Sequence, residues 1–270
     1  MSWNVRAAVS ALKIRPALAG AVLLALAGVG VSTPALAAGD QKPARDVSFS
    51  FDGPFGTFDR SAAQRGYQVY KEACAACHAL EYVSFRNLRD LGFSEAEVKA
   101  LAEESEVEDG PDDYGEMFMR PRRVSDRLPA PFPNIQAARA ANNGAAPPDL
   151  SLITKARHNG PAYVYSLLTG YQDPPEGHPE LAAGMSYNPY FPGGAIAMPQ
   201  PLSEDQVSYA DGTPTTLEQM AHDVATFLHW AAEPKLEERK NMGVKVFLFL
   251  IALTIVLYFV KKRVWRDLAH

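Results

Sequence analysis

Cysteine is nearly absent from this chain. Only Cys74 and Cys77 occur in 270 residues, which excludes a closed site of four thiolate ligands, and the scattered histidines do not make up the tetrahedral set that structural zinc requires. Acidic residues are missing before Asp40, so the N-terminus is not an ordinary solvated segment. No repeat of 20 to 50 residues and no low-complexity tract appears, and the alternation that marks strands is poor throughout, which argues against an all-β or a repeat architecture. Long hydrocarbon runs are confined to the two ends. With 47% hydrophobic and 21% charged residues, the chain is neither disordered nor wholly embedded in lipid, and its length suits one large or two small domains.

What the chain does have is the placement of those two cysteines. Cys74-Ala75-Ala76-Cys77-His78 is the C-x-x-C-H pattern of covalent c-type haem attachment. Both sulfurs must reach the two vinyl edges of one porphyrin from a single turn of backbone, and the next imidazole must reach its iron. Cys74 and Cys77 are therefore the expected thioether anchors and His78 the expected proximal ligand. A dithiol redox pair needs a βαβ setting, whereas Arg65 to Ala73 reads as helix.

The ends read as membrane signals. Arg6, Lys13 and Arg15 precede an apolar run from Ala17 to Val31, and Ala35 and Ala37 occupy the small-residue positions of a signal-peptidase site. A signal peptide over 1–37 is predicted. Near the other end, Val246 to Val260 is uninterrupted hydrocarbon; with Met242 to Lys245 it reaches the roughly 20 residues that span a bilayer. Lys261, Lys262, Arg263 and Arg266 follow, which places that side in the cytoplasm. The expected plan is an external, periplasmic haem domain over 38–240, a transmembrane anchor over 241–262 and a cytoplasmic tail over 263–270, single-pass in the cell inner membrane. The external part carries 18 basic and 30 acidic residues, which argues against nucleic acid and for a basic partner.

Within that domain, Gly53, Pro54 and Gly56 mark 49–58 as irregular, and Asp59 or Ser61 is placed to cap a helix whose Tyr67, Val69, Tyr70, Ala73 and Cys74 share an apolar face. Ser94 begins a helical stretch that is expected to run to Gly110-Pro111. Ten acidic residues and one base, Lys99, fall between Glu95 and Glu116, and this is either a solvated face or a docking surface for a basic electron-transfer partner. Six prolines between Arg120 and Pro148 predict an extended wrapping segment. Short helices are expected over Asp149 to Ala156 and Tyr163 to Tyr171. A late helix is expected from a capping box of Thr215 and Glu218, with Leu217, Met220, Val224, Phe227, Leu228 and Ala231 inward. Pro234 ends it, and Lys235 to Lys240 read as a charged linker. The fold class is mainly α: a cytochrome c-like haem domain with long proline-rich irregular segments and one C-terminal transmembrane helix.

A cytochrome that only passes electrons needs a filled sixth position. Met117, Met119, Met185, Met198, Met220, His158, His178, His222 and His229 are the candidates. Met198 stands in a loop stiffened by Pro199 and Pro201 and freed by Gly193 and Gly194, with Met185 in a comparable loop. Met220, His222 and His229 fall on the late helix and read as core or surface.

Taken together, the residues resemble the cytochrome c1 family, the haem subunits of ubiquinol-cytochrome c oxidoreductase (cytochrome bc1) complexes. The resemblance runs from about Phe49 to the C-terminus and rests on Val69-Tyr70-Lys71 before the haem motif, DGPDDYGEMFMRP (Asp109 to Pro121), ARAANNGAAPPDLS (Ala138 to Ser151), KARH (Lys155 to His158), YSLLTGY (Tyr165 to Tyr171), YNPYFPGGAIAMP (Tyr187 to Pro199) and FLHWAAEP (Phe227 to Pro234). It implies one covalent haem c, Met198 as axial methionine, Asn142, Pro148 and Tyr163 lining the haem pocket, and Arg157 on a haem propionate. It also implies partners: cytochrome b and the Rieske iron-sulfur protein in the complex, a cytochrome c as acceptor, and the lipid bilayer. The expected function is single-electron transfer, with no catalysis by the subunit alone. A free-standing membrane-tethered shuttle is the alternative, and it would want a smaller domain on a long flexible linker. A haem enzyme would want an open sixth position.

Overall fold

A computed structural model describes residues 41–267 of the chain. The predicted signal peptide and the last three residues of the predicted tail lie outside the described residues. From residue 41 onward the chain forms one compact unit, and its architecture is mainly helical, as expected.

The domain is built on one helix crossing. Helix α1 (Arg60–Val69) starts at Asp59, whose carboxylate accepts from the Ala62 amide, satisfying one of the N–H groups that a helix start leaves unpaired. It runs directly into a π-helical turn over Tyr70–Cys74. The late helix α6 (Leu217–Ala232) lies across α1 and places Met220, Val224 and Phe227 in the core with no exposure at all. Phe227 packs edge-on to Tyr67 with ring centres 5.5 Å apart and lies parallel to Trp230 at 5.8 Å. The crossing is close because Gly66 has no side chain. A Cβ there would stand 2.0 Å from the Asp223 carbonyl oxygen of α6. Beside it, the Arg65 guanidinium forks onto the fully buried Asp223 carboxylate at 2.8 and 3.1 Å, and Gln219 donates to the same carboxylate. A buried carboxylate needs such a paired, hydrogen-bonded setting.

Several expectations need correction. The helix that begins after Ser94, α2 (Glu95–Glu103), carries the predicted cap, with Ser94 and Glu97 bonded reciprocally, but it stops at Glu103 instead of Gly110. Glu106–Asp109 (β1) pairs antiparallel with Phe118–Pro121 (β2), Glu106 opposite Pro121 and Asp109 opposite Phe118. The reason lies outside the local sequence: Arg120 on β2 bonds both Asp109 and Asp126, so an acidic stretch that would repel itself as a helix finds a cation across a ribbon. A second ribbon, β3 (Ser186–Tyr187) with β4 (Ala195–Ile196), was equally unforeseen.

The capping residue of α6 is Thr216, which accepts from the Gln219 amide, not Thr215. Thr215 instead donates to Asp205, and Glu218 takes no part in a box. The proline-rich segment is extended except for α3 (Ile135–Ala141), capped by Asn134. Of the Asp149 to Ala156 stretch only α4 (Ile153–Ala156) is helical, and α5 (Gly160–Leu168) begins three residues before Tyr163. Finally, there is no linker. After a break at Pro234, helix α7 (Leu236–Val264) starts at once and continues through the apolar run, exposed along its whole hydrocarbon length. Its first turn is packed into the domain: Leu236 is buried, Glu237 accepts from the Phe58 amide and pairs with Arg60, and the Lys240 ammonium donates to the carbonyls of Phe51 and Gly56.

Candidate haem site

The C-x-x-C-H segment is set down at the end of α1. The π-turn closes with Ala75 N donating to Tyr70 O at 2.8 Å, and Cys77 and His78 both donate back to Cys74 O. The widened turn separates the two sulfurs: Cys74 is buried and Cys77 exposed, and they are not joined to each other. Burial pushes the Cys74 thiol up to about 12, with the neighbouring Cys77 adding to the rise, so the sulfur is held as a neutral thiol.

His78 is fixed by two neighbours. The Tyr70 hydroxyl donates to the His78 carbonyl at 3.0 Å, and His78 Nδ1 lies 2.7 Å from the Pro148 carbonyl oxygen. Nδ1 must therefore carry the proton, since a carbonyl only accepts, and Nε2 keeps its lone pair. Burial lowers the imidazole below its ordinary value, outweighing Pro148 and Asp149. This is the arrangement metal-binding histidines usually have: one ring nitrogen oriented by a backbone acceptor, the other left for the metal. The donor set thus fits a haem iron.

Segments 78–82 and 148–151 are stitched together. Leu150 N donates to Ala79 O, Glu81 N to the Asp149 carboxylate at 2.8 Å and Tyr82 N to the Ser151 hydroxyl at 3.1 Å. Asp149 also accepts from Ser151 N. The sequence placed Asp149 only in a helix, although the Asp-x-Ser spacing is a signature of an Asx turn.

Farther along, Tyr163 is buried and Arg157 exposed. Burial raises the Tyr163 phenol above its ordinary value, and the Arg157 guanidinium partly offsets the rise. Tyr163 in turn raises Tyr171, after the dominant effect of burial. The Tyr171 hydroxyl donates to the Met198 carbonyl at 3.1 Å. The hydrogen bonds thus bring Tyr171 to Met198 and His78 to Pro148. Asn142 ends α3, and its side-chain amide donates to Ala138 O within that helix.

Met198 leaves the β3–β4 ribbon at the same end as Met185, because Ser186 pairs with Ile196. Both are half-buried, so place alone does not separate them. Of the other candidates, His158 is exposed. Met220 is sealed in the core, and Met117 and Met119 are exposed on and beside β2. His222 stacks on Phe49 and His229 on Phe51, at 4.7 and 4.5 Å between ring centres. His178 packs edge-on to Tyr187.

Reading by residue type missed Tyr171 and Asn188. Asn188 is fully buried; its side-chain amide donates to Leu167 O at 2.7 Å and accepts from Tyr190 N, and its backbone N–H donates to Gly194 O. Tyr171 and Asn188 tie the methionine loop to the end of α5. The glycine pair Gly193-Gly194, both at positive φ, was the available signal of a tightly held loop.

Comparison with known proteins agrees in extent with this geometry. The model of the Cytochrome C1 family matches residues 49–268. The chain is 53% identical over 220 residues to "Cytochrome c1, heme protein, mitochondrial" of Kluyveromyces lactis, covering 82% of this chain and 75% of that protein. It is 52% identical over 219 residues to "Cytochrome b-c1 complex catalytic subunit, mitochondrial" of Candida albicans, covering 81% and 76%. It is 51% identical over 251 residues to "Cytochrome b/c1" of Bradyrhizobium diazoefficiens, covering 85% of this chain and 36% of that protein.

Proposed function

The chain belongs to the cytochrome c1 family, and from that premise we propose that it is the membrane-anchored, haem c-bearing electron-transfer subunit of a cytochrome bc1 complex. It takes single electrons from the Rieske iron-sulfur protein and passes them to a cytochrome c. Cytochrome b is its companion in the membrane, and the relative named "Cytochrome b/c1", of which this chain covers 36%, supports that pairing. The subunit performs no catalysis alone.

Bound haem supplies the one-electron redox change. What the residues supply is its setting. Cys74 and Cys77, one sunk and one at the surface, would hold the haem as thioethers, and His78 would offer it Nε2 while Pro148 holds Nδ1–H. Met198 would be the second residue to hold the iron, its loop held from behind by Tyr171. Arg157 pairs with a propionate, a role for which a forked guanidinium is suited, and Tyr163, Pro148 and Asn142 wall the pocket. The observation that carries the reading is the His78–Pro148 contact at 2.7 Å: it orients a ligand histidine immediately after two unpaired cysteines. The domain, from 38 to 240, lies on the periplasmic side, the anchor over 241–262 crosses the inner membrane, and the tail over 263–270 is cytoplasmic, a reading that the basic run Lys261 to Arg263 supports.

The test is Met198→Leu. The expected result is a low-spin haem that loses its long-wavelength sulfur–iron band and falls in potential. An unchanged spectrum would move the ligand to Met185. A free shuttle is disfavoured by the packed first turn of α7, because a tethered shuttle needs a flexible connection.

A further inference from the structure

The stretch from Phe49 to Phe58 contains four phenylalanines, and three are buried: Phe49, Phe51 and Phe58. They stack on one another and on His222 and His229 of α6. Phe55 differs. It is 80% exposed, at a tip formed by Gly53, Pro54 and Gly56. The loop beneath it is closed tightly: Asp52 N donates to Phe49 O, Thr57 N to Ser50 O, and the Asp52 carboxylate accepts from Phe49 N. A Cβ on Gly56 would lie 2.1 Å from Asp52 O, so the two arms are in backbone contact. An aromatic ring held out on so stiff a loop keeps its hydration cost permanently, unless something covers it.

What covers it is indicated by where the loop is fastened. Lys240 on α7 donates to Phe51 O and to Gly56 O, gripping both arms just below the tip. Lys240 directly precedes the anchor over 241–262, whose uninterrupted hydrocarbon begins at Val246 after a further cation, Lys245. The base of the tip therefore lies beside the first residues of the anchor, close to the headgroup layer that aromatic residues favour. Asp52 and Thr57, exposed on either side, are polar and suit that layer. Resting on the reading of α7 as a membrane anchor, the geometry points to the 53–56 tip as a second membrane contact, with Phe55 inserted as an apolar wedge into the interface of the leaflet that α7 enters. The domain would then be seated on lipid at two points, one spanning and one interfacial.

The experiment places a small fluorophore at Phe55→Cys in the full-length chain within its native membrane complex, with the wild-type chain taken through the same labelling as the blank. Quenching is read from nitroxide-bearing lipids and from aqueous iodide. Val256→Cys, in the middle of α7, and Tyr114→Cys, 92% exposed on the loop joining β1 to β2, serve as references for hydrocarbon and water. The expected result is quenching of the Phe55 label by lipid nitroxide well above the Tyr114 label, and by iodide well below it. Iodide quenching equal to that of Tyr114 overturns the inference. Shielding from both quenchers overturns it too, since it would mean that a protein surface covers the tip. Loss of lipid quenching at Val256 would overturn the anchor reading itself, so the two failures are told apart.

Discussion

Substituting Gly66 by alanine puts the helix crossing under a direct test. The added Cβ would meet the Asp223 carbonyl oxygen at 2.0 Å, the Asp223 carbonyl carbon at 2.6 Å and the Phe227 Cβ at 2.7 Å. Ordinary contact begins at 3.4 Å, so α1 and α6 must part by roughly 1.4 Å in a core packed to crystal density. Two effects oppose each other. Alanine in a helix interior is favoured over glycine by about 1 kcal/mol, while overpacking a core costs about 1–3 kcal/mol and sometimes more. Here the obstacle is backbone, which cannot rotate aside, so the upper end applies and a net loss of about 2 kcal/mol is expected. For a domain of this size that is a fall of roughly 4–8 °C in the melting midpoint. The assay is thermal unfolding of the haem-loaded protein by circular dichroism, with Gly243→Ala as control, since a Cβ there meets nothing within 4 Å. A midpoint unchanged or raised by Gly66→Ala would show that the crossing yields, and the account of the core would be wrong.

Tyr171→Phe removes the hydroxyl that holds the Met198 carbonyl. At about 1 kcal/mol it should leave the helical melt nearly unchanged while the sulfur–iron band disappears at a lower temperature, and an unmoved band would remove Tyr171 from the support of the loop. His229 is lowered from its ordinary 6.5 chiefly by burial against Phe51, with Glu233 and Asp52 raising it and Lys240 and Lys155 lowering it further. Because the unfolded chain binds the proton more readily, stability is complete above about pH 6.5 and declines as the pH falls below it; His229→Gln should flatten that slope in denaturant titrations between pH 7 and 5. Neutralising Glu103, Glu104, Glu106 and Glu108 should slow electron exchange with a basic cytochrome at low salt and matter little at high salt. Equal rates at both would return the α2–β1 face to plain solvation.

The parts of the fold that were legible in the sequence are those fixed by neighbours in the chain. The helix leading to Cys74, the Asp59 cap and the inward row Met220, Val224, Phe227 follow from periodicity and local hydrogen bonding. The haem motif is local as well. What escaped depends on partners far along the chain. β1 exists because Arg120 reaches Asp109 and Asp126, and no window around Glu106 contains that fact. Thr215 loses the cap position because Asp205 takes its hydroxyl. Lys235 to Lys240 read as a solvated linker by charge, yet Lys155 and Arg239 both pair with Glu233, and Lys240 is drawn onto the carbonyls of a loop nearly 190 residues earlier. Residue type and place leave Met185 and Met198 unseparated, since both leave the same end of one ribbon, and the choice of Met198 rests on family resemblance.

The unbroken start of α7 makes the membrane helix a screw on which the whole domain is threaded. Each residue of an α-helix turns 100° and rises 1.5 Å, and with Glu237 and Lys240 clamped into the domain, no swivel lies between the Cys74–His78 segment and the bilayer. One residue added after Asn241 would rotate the domain by more than a quarter turn about the membrane normal while lifting it hardly at all. The bearing of the domain, and with it the direction in which an electron leaves, is therefore set by the angular register of a hydrocarbon helix as much as by any docking surface.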